Sequence, residues 1–280
     1  MLKKILYIIF LCLSTPLFAM LKVAVGTAPE KFLVEQIGGK NVEVCCIMPE
    51  GKNLHDFSVT PEIMKKVSEC RIFFHSGLPF ETQIAKLLDP AKTDIFDYSM
   101  YVDKVNAPNS NLHTAEHDSK FDVHIWFNYI NLYKMAVETE KVISRHDGRN
   151  AAFYFRNRDI LCNKITESQY ATQNKLQRFG GRPFLTHHAA FTYFANEFNL
   201  RQMPFEYNGR EITPKNLAFL TRFAKQYNIK RIFIQSTASE NVRRAIRNAT
   251  GAKLVIIDPA AYNVLATLNK FTAELELSFE

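Results

Sequence analysis

From Arg149 to Phe179 the chain runs for about thirty residues without Gly or Pro, bounded by Gly148 and by Gly180-Gly181. At 1.5 Å per residue a helix of that length reaches roughly 45 Å, longer than a typical domain helix. Polar residues interrupt any sustained heptad, so a coiled coil is the poorer reading. On both sides of this segment, short β-type runs alternate with helix-type segments. LKVAVGT, NVEVCCIM, RIFFHSG and TDIFDYS precede it as strands, separated by EKFLVEQIGG, PEIMKKVSEC and FETQIAKLLD, with apolar residues three and four apart. RPFLTHH, LRQMPFEY, KRIFIQST and AKLVIIDP follow it, alternating with FTYFANEFN, PKNLAFLTRFAKQYN and SENVRRAIRNATG. Thr60 reads as an N-cap with Pro61 at the first helical position, and Gly251 as a C-terminal stop. Alternating β and α units imply parallel sheets with helices on both faces. The expected fold is α/β, with two lobes over residues 20–147 and 180–280. Each lobe is a mostly parallel sheet flanked by helices, and one long bridging helix over 148–179 joins them.

The first 19 residues read as a secretory signal peptide. Lys3 and Lys4 form a basic start, Ile5 to Leu17 is almost wholly apolar, and Pro16-Leu17-Phe18-Ala19 precedes a cleavage point. The run is shorter than the ~20 apolar residues of a spanning helix, so stable membrane insertion after cleavage is not expected. Phe10 and Leu11 stand before Cys12 where a lipidated cysteine has small residues, which argues against a lipoprotein anchor. Loss of Lys3 and Lys4 takes the net charge from +7 to +5, spread in short mixed clusters with no basic block, so nucleic acid is not an expected partner. Cys45, Cys46, Cys70 and Cys162 remain, without metal-type CxxC spacing. Both disulfides and buried free thiols are compatible with an oxidising compartment.

Three histidines recur at long intervals in short apolar or aromatic settings: His55 in NLHDFSVTP, His124 in FDVHIWFN and His188 in THHAAFTYFA. Singly, each reads better as a half-buried side chain. Together they match a metal site built from distant loops, since neutral imidazole is the commonest transition-metal ligand. Ligands of open parallel sheets collect beyond the carboxyl ends of the strands. His55 follows the second strand, His188 ends RPFLTHH and Asp258 ends AKLVIID, while Trp126 and Phe127 can bury one side of such a site. The polar stretch over 106–120, which contains His113 and His117, reads as a mobile loop.

These segments resemble the zinc- and manganese-binding solute-binding proteins of ABC importers, the ZnuA/TroA-like family, over essentially the whole chain after the leader. The resemblance rests on His55-Asp56-Phe57-Ser58-Val59-Thr60-Pro61, Asp122-Val123-His124-Ile125-Trp126, His188-Ala189-Ala190-Phe191-Thr192-Tyr193-Phe194 and Asp258-Pro259. It implies metal ligands at His55, His124, His188 and Asp258, and a long bridging helix. It also places 106–120 where zinc-type members carry a His-rich insert. Val123 stands in place of the family's Pro, Ala189 of its Asp, Thr192 of its Gly and Gln235 of a frequent Glu. None of these removes an implied ligand, but all touch the surrounding hydrogen bonding that orients imidazoles.

Three imidazoles favour Zn2+ over Mn2+ or Fe2+, because oxygen donors suit Mn2+ better. Asp258 either completes the shell or holds a histidine while water completes it. His187 adjoins His188, but strand neighbours point to opposite faces, and the resemblance selects His188. His75 reads as a core or rim residue, and His146 as a helix-end or solvated one. Glu81 is an ordinary start-of-helix carboxylate or a group behind the ligands, and Asp122 is a partner for His124. The implied function is a monomeric periplasmic receptor that captures Zn2+ between the lobes and delivers it to an ABC permease in the inner membrane. A Mn2+ or Fe2+ receptor of the same family is the alternative. A secreted zinc hydrolase is weaker, having no HExxH and no well-placed general base, and an adhesin has no sequence feature of its own.

Overall fold

The computed structural model describes residues 20–51, 57–106, 121–205 and 213–280. The leader, His55, His113 and His117 lie outside them. The first sheet contains β1 (Leu21–Thr27), β2 (Val42–Met48), β3 (Ile72–His75) and β4 (Asp94–Asp97), connected by α1 (Ala28–Gly38), α2 (Pro61–Ser68) and α3 (Pro79–Leu87). Helices α4 (Tyr129–His146) and α5 (Ala151–Leu176) follow. The second sheet has β5 (Pro183–Thr186), β6 (Arg201–Pro204), β7 (Arg231–Ile234) and β8 (Lys253–Ile256), with α6 (Thr192–Glu197), α7 (Pro214–Gln226) and α8 (Glu240–Thr250) between them. Helix α9 (Val264–Phe279) comes last. Strand order is β2-β1-β3-β4 in one sheet and β6-β5-β7-β8 in the other, and every pairing is parallel. The two halves therefore share one topology.

Burial explains the apolar runs. β1 sits inside its sheet, with Val23 aligned to Val44 on one side and to Ile72 on the other, and Val23, Ala24 and Val25 are fully buried. Strands covered on both faces lose the in-out alternation of a half-exposed sheet, which is why these segments read as continuous hydrophobic runs. Helix ends carry the expected signals. The Thr60 hydroxyl accepts the Ile63 amide at 3.3 Å, with Pro61 opening α2. Gly251 stops α8 at φ 67°, a left-handed position that a side chain rarely adopts.

The expected bridge is α5, continued at each end by a tighter helical turn, Gly148–Asn150 and Gln177–Phe179. Its 26 residues give a rod of about 39 Å. Helices α4 and α9 stand outside the β/α rhythm and line α5 from the two halves: α4 packs on α1 and α5, while α9 packs on α5 and β7. One apolar core runs without interruption from β1 and β3 through Trp126 and Phe127 to Phe184, Phe233 and Phe271. A smaller second core lies under α7 and α8 around Leu185, Leu220, Ile232 and Ile246.

Phe271 on α9 is the centre of the shared core. Its ring lies 4.6 Å from that of Phe191, 4.8 Å from Phe233, 5.0 Å from Phe194 and 5.8 Å from Phe127. Offset and edge-on aromatic contacts of this kind add to ordinary burial. Phe271→Ala should therefore lower stability by about 3–5 kcal/mol, read as a shift of the urea midpoint; a change below about 1 kcal/mol would show that the seam does not bear on stability.

Candidate metal centre

The turn from Asp122 to Asn128 leads into α4, whose N-cap Asn128 accepts the Asn131 amide at 2.7 Å. Within that turn the Asp122 carboxylate accepts the backbone N–H of His124 at 2.9 Å and its ring Nδ1–H at 2.7 Å. Both residues are almost fully buried, at 5% and 3% exposure. Nδ1 is committed as a donor, so the lone pair of the neutral ring falls on Nε2, the atom that can take a metal. That buried Nε2 has no hydrogen-bond partner among the described residues. Burial acts to raise the Asp122 carboxyl, but the neighbouring His124, by charge and hydrogen bond, outweighs it and holds the group below its ordinary value.

His188 enters from the other half, just past the carboxyl end of β5, with its ring centre 5.1 Å from that of His124 and nearly perpendicular to it. Two imidazoles on one tetrahedral ion, each nitrogen about 2.0–2.1 Å away, would have ring centres roughly 5 Å apart, so the observed pair fits a shared ion. Trp126 walls the site, its ring 5.7 Å from His124, and its indole N–H donates to the Pro259 carbonyl at 2.8 Å. The Tyr193 hydroxyl on α6 donates to the Asp122 carbonyl at 3.0 Å, a second tie between the halves.

Asp258 follows β8, half-buried, and accepts the Ala260 amide at 2.9 Å. Burial first and the charge of Glu50 also raise its carboxyl, against the Ala260 hydrogen bond. Among the described residues no three His, Cys, Asp or Glu side chains group closely enough to hold a metal. The structure brings His124 and His188 together and does not bring Asp258 into a trio with them.

The other sequence candidates separate clearly. The His187 ring packs on Phe205, 5.5 Å away, towards the smaller core, while its neighbour faces His124. His75 is buried at the end of β3, stacked on Phe73 at 5.3 Å, and burial lowers its pKa. His146 ends α4, with Nε2 2.8 Å from Asp94.

Glu81 is fully buried and is joined by Glu30, which the sequence patterns did not single out. Glu81 accepts the Ser76 and Leu78 amides at 2.9 Å each; Glu30 accepts the Thr27 amide at 2.9 Å and the Ser76 hydroxyl. A Cβ on Gly26 would fall 1.7 Å from Glu81 Oε1, so only glycine leaves room for this carboxyl. Burial, partly offset by these hydrogen bonds, pushes Glu30 up to about 7; burial and the charge of Glu30 push Glu81 well above the usual carboxylate range. The only early signal for Glu30 was a carboxylate three residues after Thr27, a capping-box spacing.

An α/β scaffold of two like halves joined by a long helix, with paired imidazoles where the halves meet, defines a metal-binding receptor of the rigid-bridge type. Residues 23–268 match the family model described as zinc-uptake complex component A, periplasmic, and the chain belongs to this ZnuA family of substrate-binding receptors of ABC metal importers. It is 26% identical over 227 residues to the manganese ABC transporter substrate-binding lipoprotein PsaA of Streptococcus pneumoniae serotype 4, covering 78% of this chain and 73% of that protein. It is 22% identical over 235 residues to the zinc-binding lipoprotein AdcA of Streptococcus pneumoniae, covering 80% of this chain and 47% of that one. A crystal structure of ZnuA superposes with a TM-score of 0.83 at 23% identity, covering 94% of this chain and all of that one.

Two outcomes test the site. Asp122→Asn keeps the size of the side chain but removes its charge, and should weaken metal binding about 10- to 100-fold in competition with a chromophoric chelator; unchanged affinity would detach Asp122 from His124's role. A carboxyl whose pKa rises on folding stabilises the fold fully below its unfolded pKa, and that stability is lost as pH climbs through the folded pKa. Thermal midpoints should therefore fall between about pH 5 and pH 8, and Glu81→Gln should flatten that slope. An equally steep slope in the variant would clear the Glu30–Glu81 pair of responsibility.

Proposed function

We propose that the chain captures Zn2+ at a site built on His124 and His188, completed by His55 and by Asp258 or water, and passes the ion to an ABC permease. The observation that carries this reading is the buried His124 ring, locked by Asp122 in the tautomer that offers Nε2 towards His188. Nitrogen donors favour Zn2+ over Mn2+, which prefers oxygen. Orientation is set before the ion arrives, so binding does not have to order the His124 ring. Nanomolar capture corresponds to about −12 kcal/mol, which the ion's exchange of hydration water for these donors must supply.

The leader-like residues 1–19 support export to the periplasm. No helix among the described residues is long and apolar enough to cross a membrane. The receptor works as a monomer in this reading. The apolar core that spans both halves supports release through local movement at the site, because wide separation of the halves would expose the Phe271 cluster to water.

The test is titration of the metal-stripped protein with Zn2+, Mn2+ and Fe2+, beside His188→Ala. One Zn2+ per chain should bind most tightly, and His188→Ala should lose more than about 100-fold in affinity. Preference for Mn2+ or Fe2+ would overturn the zinc assignment, and an unaffected variant would remove His188 from the ligand set.

A further inference from the structure

We propose that the outer face of α7 and α8 is a basic docking surface for an anionic phospholipid bilayer. The segment over 213–255, which carries both helices, holds nine Lys and Arg against a single acidic residue, Glu240. Outside it and the leader, 24 basic residues meet 27 acidic ones, so the net positive charge resides in this segment. The nine form no block in the sequence; the fold gathers them. Lys215, Arg222 and Lys225 are exposed along one side of α7, and Asn216, Leu220 and Ala224 are buried on the other. On α8, Arg244 and Arg247 are exposed and Ile246 is buried. With strand order β6-β5-β7-β8, the steps from β6 to β7 and from β7 to β8 run in the same direction. Right-handed crossovers then set α7 and α8 on one face of the sheet, where they pack on each other over the second core. Their outward stripes form one surface.

The character of this surface selects the partner. Arg231 and Lys253, in the sheet, share Glu274 at 2.8 and 3.6 Å, and the Arg243 guanidinium is turned inward to the Ser236 carbonyl at 2.7 Å. The five outward cations have no carboxylate partner among the described residues. Neither helix exposes a large apolar side chain. Protein interfaces are built around apolar and aromatic centres from which Lys is depleted, and this face has no such centre. A plane of mobile anionic headgroups asks only for charge, and each Lys or Arg close to it is worth about fivefold in partition. The binding is peripheral, without insertion. For a receptor that hands its ion to a membrane permease, it confines the search for that permease to the membrane plane. This consequence rests on the proposed function, whereas the lipid binding does not.

The test is co-sedimentation of residues 20–280, which hold every strand and helix described, with lipid vesicles at low ionic strength. One set of vesicles is phosphatidylglycerol and phosphatidylcholine in equal parts, the other phosphatidylcholine alone. Capture is expected on the anionic vesicles only, and its loss towards 1 M salt, where the screening length contracts to about 3 Å. Arg244→Gln with Arg247→Gln should weaken capture about 25-fold, and Arg244→Lys with Arg247→Lys should keep it. Lys65→Gln with Lys86→Gln removes the same charge from exposed positions on α2 and α3, and should leave capture within about twofold. All these positions are exposed, so the thermal midpoints should not move. Equal capture by neutral vesicles, or equal losses in the two glutamine pairs, would overturn the proposal. Tighter binding of a duplex DNA oligonucleotide at the same salt would overturn the lipid assignment in favour of nucleic acid. Capture is read without metal, so a failure of the zinc assignment leaves its outcome unaffected.

Discussion

The aromatic seam between the two sheets is the contact on which the rest depends. Phe127 from the turn before α4, Phe184 and Phe233 from the second sheet, Phe191 and Phe194 around α6 and Phe271 from α9 interlock there. A close-packed interior transmits position because a side chain cannot shift without disturbing its neighbours. Trp126 belongs to the same packing, and its indole N–H on the Pro259 carbonyl joins the wall of the site to the loop that holds Asp258. The distance between His124 and His188 is thus set by apolar packing around them, in addition to any ion they hold.

Two buried carboxylates show how surroundings decide chemistry. Asp122 and Glu81 are both out of water, and burial alone raises the proton affinity of each. Asp122 faces an imidazole and stays below its ordinary value, ready to fix a ring. Glu81 faces another carboxylate, Glu30, and moves the other way. The first arrangement orients an imidazole ring, whereas the second holds two acids against the ends of β1 and β3, where backbone amides and the Ser76 hydroxyl take up most of their oxygens.

Much of the α/β alternation was legible because fully covered strands read as apolar runs and because Thr60, Pro61 and Gly251 have local physical reasons to start or stop a helix. Helices α4 and α9 were harder to see, since they do not take part in the β/α alternation; their apolar positions answer to α5 and to the seam, which are remote in sequence. Aromatic settings and family resemblance pointed to His124 and His188, and the structure adds their mutual geometry. Asp122 was legible as a partner of His124 through its spacing. The Glu30–Glu81 pair was not legible, because the two carboxyls meet around Ser76 across two strand ends. His55 lies outside the described residues, and its place in the ligand set stays with the proposed function.

Phe271 has a further consequence for how the protein is made. The first sheet begins at Leu21, yet the residue at the centre of the shared core lies near the far end of the sequence, on α9. Contacts that join such distant positions form late, since a long stretch of chain must be ordered before they are gained. A chain still emerging from a ribosome or a translocation pore therefore lacks the wedge that closes the seam, and the halves cannot lock until residues 264–279 have arrived. Synthesis delivers a threadable, incompletely closed chain, and the rigid receptor forms only afterwards.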